Sequence, residues 1–424
     1  MEYEKEKEKE EQQGKNIFIV GNSANAYSFA QKLSALDEVQ NIFVASGNDA
    51  MNEFCTVVDI REDSAQELLE FAVENDIDFT VVTSEKAIKS DITVVFRENK
   101  QLIFAPTFES AMICLSKSAG KKFMYKNRIQ CPRFAIFDRP AMAIDYAKSS
   151  PMPIVVKTDE HQGSNGTLVC NSFSIAKACI EDFFDSGERK VIIEDYVLGH
   201  EFSFYVVTDG YRAISLGSVA NYKHSLEGNG GIITAGMGAF TPDYKISKQI
   251  EKRILQNMVY PTINALARSH TPYVGILGLD CILTSQEQVF AIEFNSFLQT
   301  PDCQVILAVL DENLYHLINA CVTDSFADDY STIDIADDYA ISCVLSSGRK
   351  ANSVIKGLDD LDETTQVSHF NTRKNTYSEY ETSGDRTIVL TRTAKTLSRA
   401  VENLYDEISV VKFDGMKYRK DIGK

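Results

Sequence analysis

A multidomain α/β architecture is what the sequence predicts, and three observations predict it. Apolar strand-like runs and amphipathic helical stretches alternate over residues 16–105, as in a doubly wound parallel sheet. Prolines at 132, 140, 151 and 153 then punctuate a smaller α+β unit. Beyond residue 191 the strands lengthen, and an apolar hairpin over residues 275–295 precedes an Asp-rich linker at 324–338.

The elements follow in chain order. Residues 1–15 alternate Glu and Lys with almost nothing apolar, which predicts a disordered, charged tail. Strands are expected at 17–20, 42–44, 79–82 and 102–104, with helices after Gly21 and over 65–75. This α/β domain is assigned to 16–110. One helix is expected over 109–127. A strand at 153–157 ends in Lys157 and enters a loop, 159–166, rich in Gly, Ser and Asn. A strand at 167–169, a helix at 174–184 and a strand at 191–194 complete a unit assigned to 111–190. Residues 191–329 supply long strands and helices over 246–268 and 313–322. The rest, 330–424, reads as a small α+β or barrel-like domain with a helix over 394–408.

Composition narrows the function. The chain has 424 residues, 44% hydrophobic and 25% charged, with no apolar run long enough to span a membrane. The formal charge of −18 argues against a nucleic-acid partner, though not against a nucleotide in a local basic pocket. Nine scattered cysteines without a C-x-x-C pair, and a start unlike a signal peptide, predict a reduced, cytoplasmic chain.

Chemistry concentrates in the hairpin. A turn centred between Gln286 and Glu287 places Asp280 directly across from Glu293, with Asn295 on the same face. Opposed carboxylates repel unless one is protonated or a cation lies between them. Their hard oxygens suit Mg²⁺, which works through substrate phosphates. The competing reading is a solvated hairpin face. Lys157 with Gly163, Ser164 and Gly166 forms a second pattern, in which glycines admit backbone N–H groups to phosphate oxygens. A plain surface hairpin would look the same, since no Walker A motif is present. Glu194 to Val197, with Glu201 beyond, could offer backbone groups to an adenine and a carboxylate to a ribose. A solvated strand end is the simpler explanation. His161 and His224 read as polar surface more readily than as acid–base groups. Cys281 and Cys303 read as small core residues.

The order Lys117, Lys157, glycine loop, Glu194/Glu201, Asp280/Glu293/Asn295 resembles the ATP-grasp superfamily. Within it, the chain is similar to the phosphoribosylamine–glycine ligase family along its length after the tail. The likeness rests on Gly21 with Ala45-Ser46-Gly47-Asn48, on Phe104 to Thr107 with Glu109, Ser116 and Lys117, and on Pro153 to Lys157. It continues through Ala235 to Phe240 and Glu293 to Asn295, and closes with Phe413 to Gly423. The resemblance implies an ATP-grasp fold, ATP and Mg²⁺ (with Mn²⁺ as an alternative ion), and amide formation through an acyl phosphate. It implies Lys117, Lys157 and Lys223 as the catalytic cations. Gly163, Ser164, Gly166, Glu194, Val197 and Glu201 would join the two lysines on the nucleotide, and Asp280, Glu293 and Asn295 would hold the metal. Small-molecule acid and amine substrates and a monomer or homodimer are expected.

Departures gather where the family holds its substrates. Its G-R-E-H is Ala24-Asn25-Ala26-Tyr27 here, its G-P-E is Thr83-Ser84-Glu85, and its D-H-K-R is Asn221 to His224. Its P-N-T-G-G is Ile232 to Gly236, and its N-A-R-F-G-D-P-E is Asn295 to Asp302, with Phe297 in place of an arginine. The glycine-loop lysine is Asn165. A phenyl ring cannot replace a bidentate guanidinium. Asp280, in contrast, supplies an acid where many relatives have none. Three functions stay open: a divergent member with the family reaction, an ATP-grasp ligase for another acid–amine pair, and a non-catalytic nucleotide-binding regulatory protein.

Overall fold

The structure is a computed structural model that describes residues 14–160, 166–348 and 350–424. The expected tail lies, up to residue 13, outside the described residues. Five parallel strands come first: β1 (Lys15–Val20), β2 (Val39–Ala45), β3 (Thr56–Val58), β4 (Phe79–Val82) and β5 (Ile103–Phe104). They lie in the order β3-β2-β1-β4-β5. Helices cover both faces, so Ile17 to Val20 is apolar at every position rather than at alternate ones. The strand order reverses between β1 and β4, and Gly21 lies at that point. Its φ is +149°, and a Cβ there would fall 2.2 Å from Thr83 Oγ1.

The helix expected over 109–127 is two helices, Phe108–Leu115 and Lys117–Lys126, because Ser116 between them is extended. Its hydroxyl caps the second helix by accepting from Ala119 N at 3.1 Å. Lys117 thereby becomes a first-turn residue rather than a mid-helix one. A four-stranded antiparallel sheet follows: β6 (Phe134–Phe137), β7 (Ile154–Thr158), β8 (Thr167–Cys170) and β9 (Val191–Asp195), in the order β6-β9-β7-β8. Helices Pro140–Ser149 and Phe173–Asp185 close its core over Ile154, Val156 and Ile193.

The remaining strands are β10 (His200–Asp209), β11 (Ala213–Leu226), β12 (Gly230–Thr241), β13 (Val274–Leu283), β14 (Val289–Asn295), β15 (Tyr339–Ser346), β16 (Gln366–His369), β17 (Thr372–Lys374), β18 (Tyr380–Thr382) and β19 (Arg386–Ala394). Eight of them form one antiparallel sheet, β14-β13-β10-β11-β12-β15-β19-β16, with β17–β18 as a separate hairpin. The sheet is continuous across the acidic linker, because β15 pairs with β12. The helix expected over 246–268 contains a π-turn at Leu255–Val259. Pro261 just beyond it lacks an N–H and would clash with the carbonyl one turn back, which the wider turn relieves.

One apolar core joins the first sheet to the large one. Ile17 and Phe104 share it with Tyr205, Val207, Leu298 and Ile306. No helix among the described residues is long and apolar enough to cross a membrane.

Candidate active site

Asp280 and Glu293 are paired residues in the β13–β14 ladder, and Gly278 pairs with Asn295. The expected register is present, with one added device. Near the turn the pairs are Leu283–Val289 and Cys281–Ala291, which centre the loop on Gln286 and would set Asp280 opposite Ile292. A bulge at Ile292 adds one residue to β14 and brings Glu293 into place. Glu287 supplies the left-handed residue of the loop at φ +56°.

Neighbouring strands bring the partners. Ser203 on β10 pairs with Asp280, and its hydroxyl lies between Asp280 Oδ1 and Asn221 Oδ1 with one proton to share. Lys223 on β11 forms an ion pair with Asp280 Oδ2. Desolvation draws the Lys223 pKa down, but the carboxylates of Asp280 and Glu293 outweigh it and the net shift is upward. On the facing sheet, Lys157 of β7 and Glu194 of β9 are buried and paired at 3.3 Å. Burial lowers the Lys157 pKa, and Glu194 and Glu293 raise it further than burial lowers it. Glu194 also pairs with Lys121 at 3.2 Å. Its carboxylate is therefore engaged by two lysines.

Asp159 ties the glycine loop to the helix that carries Lys117. Its Oδ1 accepts from Ser118 N at 2.8 Å and from the Ser116 hydroxyl at 2.9 Å. Its carbonyl accepts from Lys117 N at 3.0 Å. Burial pushes its carboxyl up, yet these donors hold it below its ordinary value. Gly166 closes the loop base by accepting from Thr158 N at 2.9 Å. Gly163, Ser164 and His161 lie outside the described residues.

These elements enclose one cleft with two ends. The first, about 840 Å³, is lined by Lys157, Glu194, Val197, Glu201, Lys223, Asp280 and Glu293, among others. The second, about 730 Å³, shares Lys223, Asp280 and Glu293 and adds Lys117, Asn295, Gln299, Gly236 and Asp302. The structure thus brings together all the described candidate residues except Gly166, which abuts the lining residue Thr167. His224 lines the first end, and its Nδ1 is buried without a partner among the described residues. Cys281 and Cys303 are buried, and burial raises both thiols.

The donor set suits a hard divalent cation. Two opposed carboxylates and an amide offer only oxygen toward it. Asn295 is buried, and its side-chain nitrogen finds no partner among the described residues, so the protein alone does not satisfy that amide. No group of three or more His, Cys, Asp or Glu that could hold a metal occurs among the described residues. Phosphate and water oxygens would complete the shell, as is usual for Mg²⁺.

Sequence reasoning missed the floor of the second end. Asp302 accepts from the Tyr205 hydroxyl at 2.8 Å and from Asn221 Nδ2 at 2.5 Å, both on Oδ2. Burial pushes its carboxyl up to about 7. Arg386 on β19 donates to the carbonyls of Gly236 at 2.8 Å and Thr300 at 2.9 Å. Burial lowers its pKa to about 10. Gly236, at φ +110°, admits this approach, since a Cβ would lie 2.8 Å from Thr300 O. Phe297 packs against the core of the first domain. Asn25 donates to Leu298 O at 2.7 Å and accepts from the Thr300 hydroxyl at 2.6 Å. The sequence signals for this floor were an acid opening a helix, at Asp302, and the family motifs that align with Asn221, Gly236 and Asp302; Tyr205 and Arg386 had none.

Three family descriptions match the chain in succession: phosphoribosylglycinamide synthetase N domain over residues 15–114, its ATP-grasp (A) domain over 115–303, and its C domain over 347–424. The phosphoribosylamine–glycine ligase of Clostridium acetobutylicum is 29% identical over 419 residues, covering 96% of this chain and 99% of that one. Among solved structures, the phosphoribosylamine–glycine ligase of Thermotoga maritima superposes with a TM-score of 0.82 at 21% identity, over 96% of this chain and 99% of that one. The biotin carboxylase domain of Hydrogenobacter thermophilus 2-oxoglutarate carboxylase, solved with MgADP and bicarbonate, gives a TM-score of 0.71 at 14% identity, over 95% and 91%.

Proposed function

The chain belongs to the phosphoribosylamine–glycine ligase family, ADP-forming ATP-grasp carbon–nitrogen ligases of purine biosynthesis, and on that premise we propose how its cleft works. A substrate carboxylate attacks the γ-phosphorus of ATP, and ADP leaves. An amine then adds to the acyl phosphate, a C–N bond forms, and the C–O bond to phosphate breaks. The observation that carries this reading is the single cleft joining Lys157, Glu201 and Val197 at one end to Lys117, Asn295 and Asp302 at the other, with Asp280 and Glu293 shared between them.

In this proposal Val197 and Glu201 hold the adenosine, and Lys117 and Lys157 neutralise phosphate oxygens. Lys223 holds Asp280 in the absence of nucleotide and turns toward the transferred phosphoryl group when it arrives. Asp280, Glu293 and Asn295 would hold Mg²⁺, or Mn²⁺ in its place. When bound, the ion offsets charge on the phosphate oxygens. Gly163, Ser164 and Gly166 are assigned to cover the phosphates. The nine cysteines, all free thiols, suit a reduced cytoplasmic setting. The state is taken to be monomer or homodimer.

Glycine and phosphoribosylamine, the pair in the relatives' name, are the reference substrates. A second reading, another acid–amine pair, is favoured by one feature. Phe297 and Asn25, which stand where the family has its substrate arginines, are committed to core packing and to hydrogen bonds with the 298–300 segment. The deciding assay measures ADP and phosphate release from Mg-ATP across a panel of amino acids and amines. Turnover with the reference pair at about 1–10³ s⁻¹ supports the first reading. Turnover with a different pair supports the second. Tight Mg-ATP binding with no turnover on any pair sinks both and leaves a regulatory binder.

A further inference from the structure

Beneath the nucleotide end of the cleft, three charged side chains are buried together. Lys121 Nζ lies 3.2 Å from Glu194 Oε1, and Lys157 Nζ lies 3.3 Å from Glu194 Oε2. Their side chains are 2%, 2% and 5% exposed for Lys121, Glu194 and Lys157. Each lysine faces a different oxygen of one carboxylate, so the group carries a net +1; the Lys121 contact is one of charge and proximity, since neither Lys121 Nζ nor Glu194 Oε1 makes a hydrogen bond among the described residues. Glu194 and Lys157 line the cleft, whereas Lys121 is absent from its lining and sits behind them. Lys121 has no task in the proposed reaction, yet a buried ammonium is costly to keep. Burial draws its pKa down, and Glu194 is the largest influence opposing that, with Lys157 and Cys131 as its other charged or titratable neighbours.

We propose that Lys121 is a positioning residue that keeps Glu194 paired, so that Lys157 is free to leave Glu194 for a phosphate of the nucleotide. The physical case is a comparison of two arrangements. In a simple Lys157–Glu194 pair, moving the ammonium to a phosphate would strand a buried carboxylate, and such a charge is strongly unfavourable. With Lys121 on the other oxygen, the carboxylate stays compensated whichever way Lys157 points. The same second lysine supplies the surplus positive charge that an incoming phosphate needs. Elements from three places make the device: the helix Lys117–Lys126, strand β7 and strand β9. The helix also carries Lys117 at its first turn, so one helix presents one cation to the cleft and keeps another behind it.

This inference rests on the nucleotide reading of the cleft, and the test separates the two. The affinity of the full chain for Mg-ATP is measured by calorimetry in four proteins: the unsubstituted chain, Lys121→Met, Lys157→Met and the double variant. Lys121→Met is expected to weaken binding by about ten-fold or more, as for removal of one partner from a buried charge set. Lys121→Arg should recover most of it. In the Lys157→Met background, Lys121→Met should cost nothing further, because its effect passes through Lys157. A residue with a purely structural role would lower the melting temperature and give losses that multiply. If Lys121→Met does not fold, Lys121→Gln, which keeps a donor toward Glu194 without the charge, carries the same comparison. Wild-type affinity in Lys121→Met, or multiplying losses in the double variant, overturns the inference alone. If the unsubstituted chain binds no Mg-ATP, the nucleotide reading falls and this inference falls with it.

Discussion

At the end of the cleft proposed for the nucleotide, ions are held by ions: Lys121 and Lys157 on Glu194, and, shared with the other end, Lys223 on Asp280. Behind the opposite end the supporting contacts are mostly neutral, and they join segments far apart in the chain. Asn25 of the first domain holds the 298–300 segment, Ser28 meets Ser368 at 2.9 Å, and Gln304 reaches back to Ala24 O at 3.0 Å. The first end is built by strand register within two sheets. The second is built by docking of three parts of the chain. A site of the first kind can keep its chemistry while a site of the second kind is rewritten, because of their lining residues they share only Thr167 of β8, Asn221 and Lys223 of β11, Ile233 of β12, and Asp280 and Glu293 of the hairpin.

Experiments can press on that contrast, beginning with the largest effect. Glu293→Ala is expected to reduce ADP release by about 10³-fold or more, as for loss of a main electrostatic stabiliser. Unchanged turnover and Mg-ATP binding in that variant would remove the hairpin from the mechanism. Asp302→Asn probes the other end through pH. Burial raises the folded-state pKa of Asp302 from 3.8 to about 7. The folded chain therefore binds more protons than the unfolded chain between those values. Its contribution to stability is full below the unfolded value and is lost as pH rises through about 7, by on the order of 4 kcal/mol. Thermal melts of Asp302→Asn between pH 4 and 8 should lose that slope while Mg-ATP affinity stays put. A slope that persists in the variant would assign the titration elsewhere. Lys157→Met comes next, with Mg-ATP affinity expected to fall about 10²-fold and little change in melting temperature. The smallest effect belongs to Asn25→Ala, a loss of about 1–3 kcal/mol in stability from the unpaired Thr300 hydroxyl and Leu298 carbonyl. Calorimetry should find its nucleotide affinity unaltered; a large drop would show the two ends to be coupled.

The same contrast explains what the sequence disclosed. Asp280, Glu293 and Asn295 were legible because a hairpin's faces follow a two-residue period. Even there the turn centre was placed half a residue late, and the bulge at Ile292 made up the difference. The parallel sheet of β1, β2, β4 and β5 was legible from buried apolar runs. β3 escaped notice because three residues, Thr56 to Val58, carry too little pattern. The break at Ser116 had a local signal, a serine able to cap the following helix. Lys121 had none, since its partner Glu194 is distant in the chain and neither residue falls in a repeating pattern. Asp302, Tyr205 and Arg386 meet only after three strands and a helix have docked, which no local rule encodes. The pairing of β15 with β12 was hidden in the same way, behind an acidic linker that reads as a boundary.

That last pairing bears on how the chain can be shortened. β15, β19 and β16 continue the large sheet beyond β12, and Arg386 on β19 reaches the floor of the second end of the cleft. Cutting the chain in the linker would not release a separate module. It would split a sheet lengthwise and leave β12 as an open edge, with unpaired N–H and C=O groups along Gly238 to Thr241 facing water. Apolar residues such as Ala220, Phe240 and Ile341 now share one core, and all of it except Ala220 and Phe240 would be stripped away. Bare edges of this kind recruit other strands, so the shortened protein should self-associate rather than survive as a smaller enzyme.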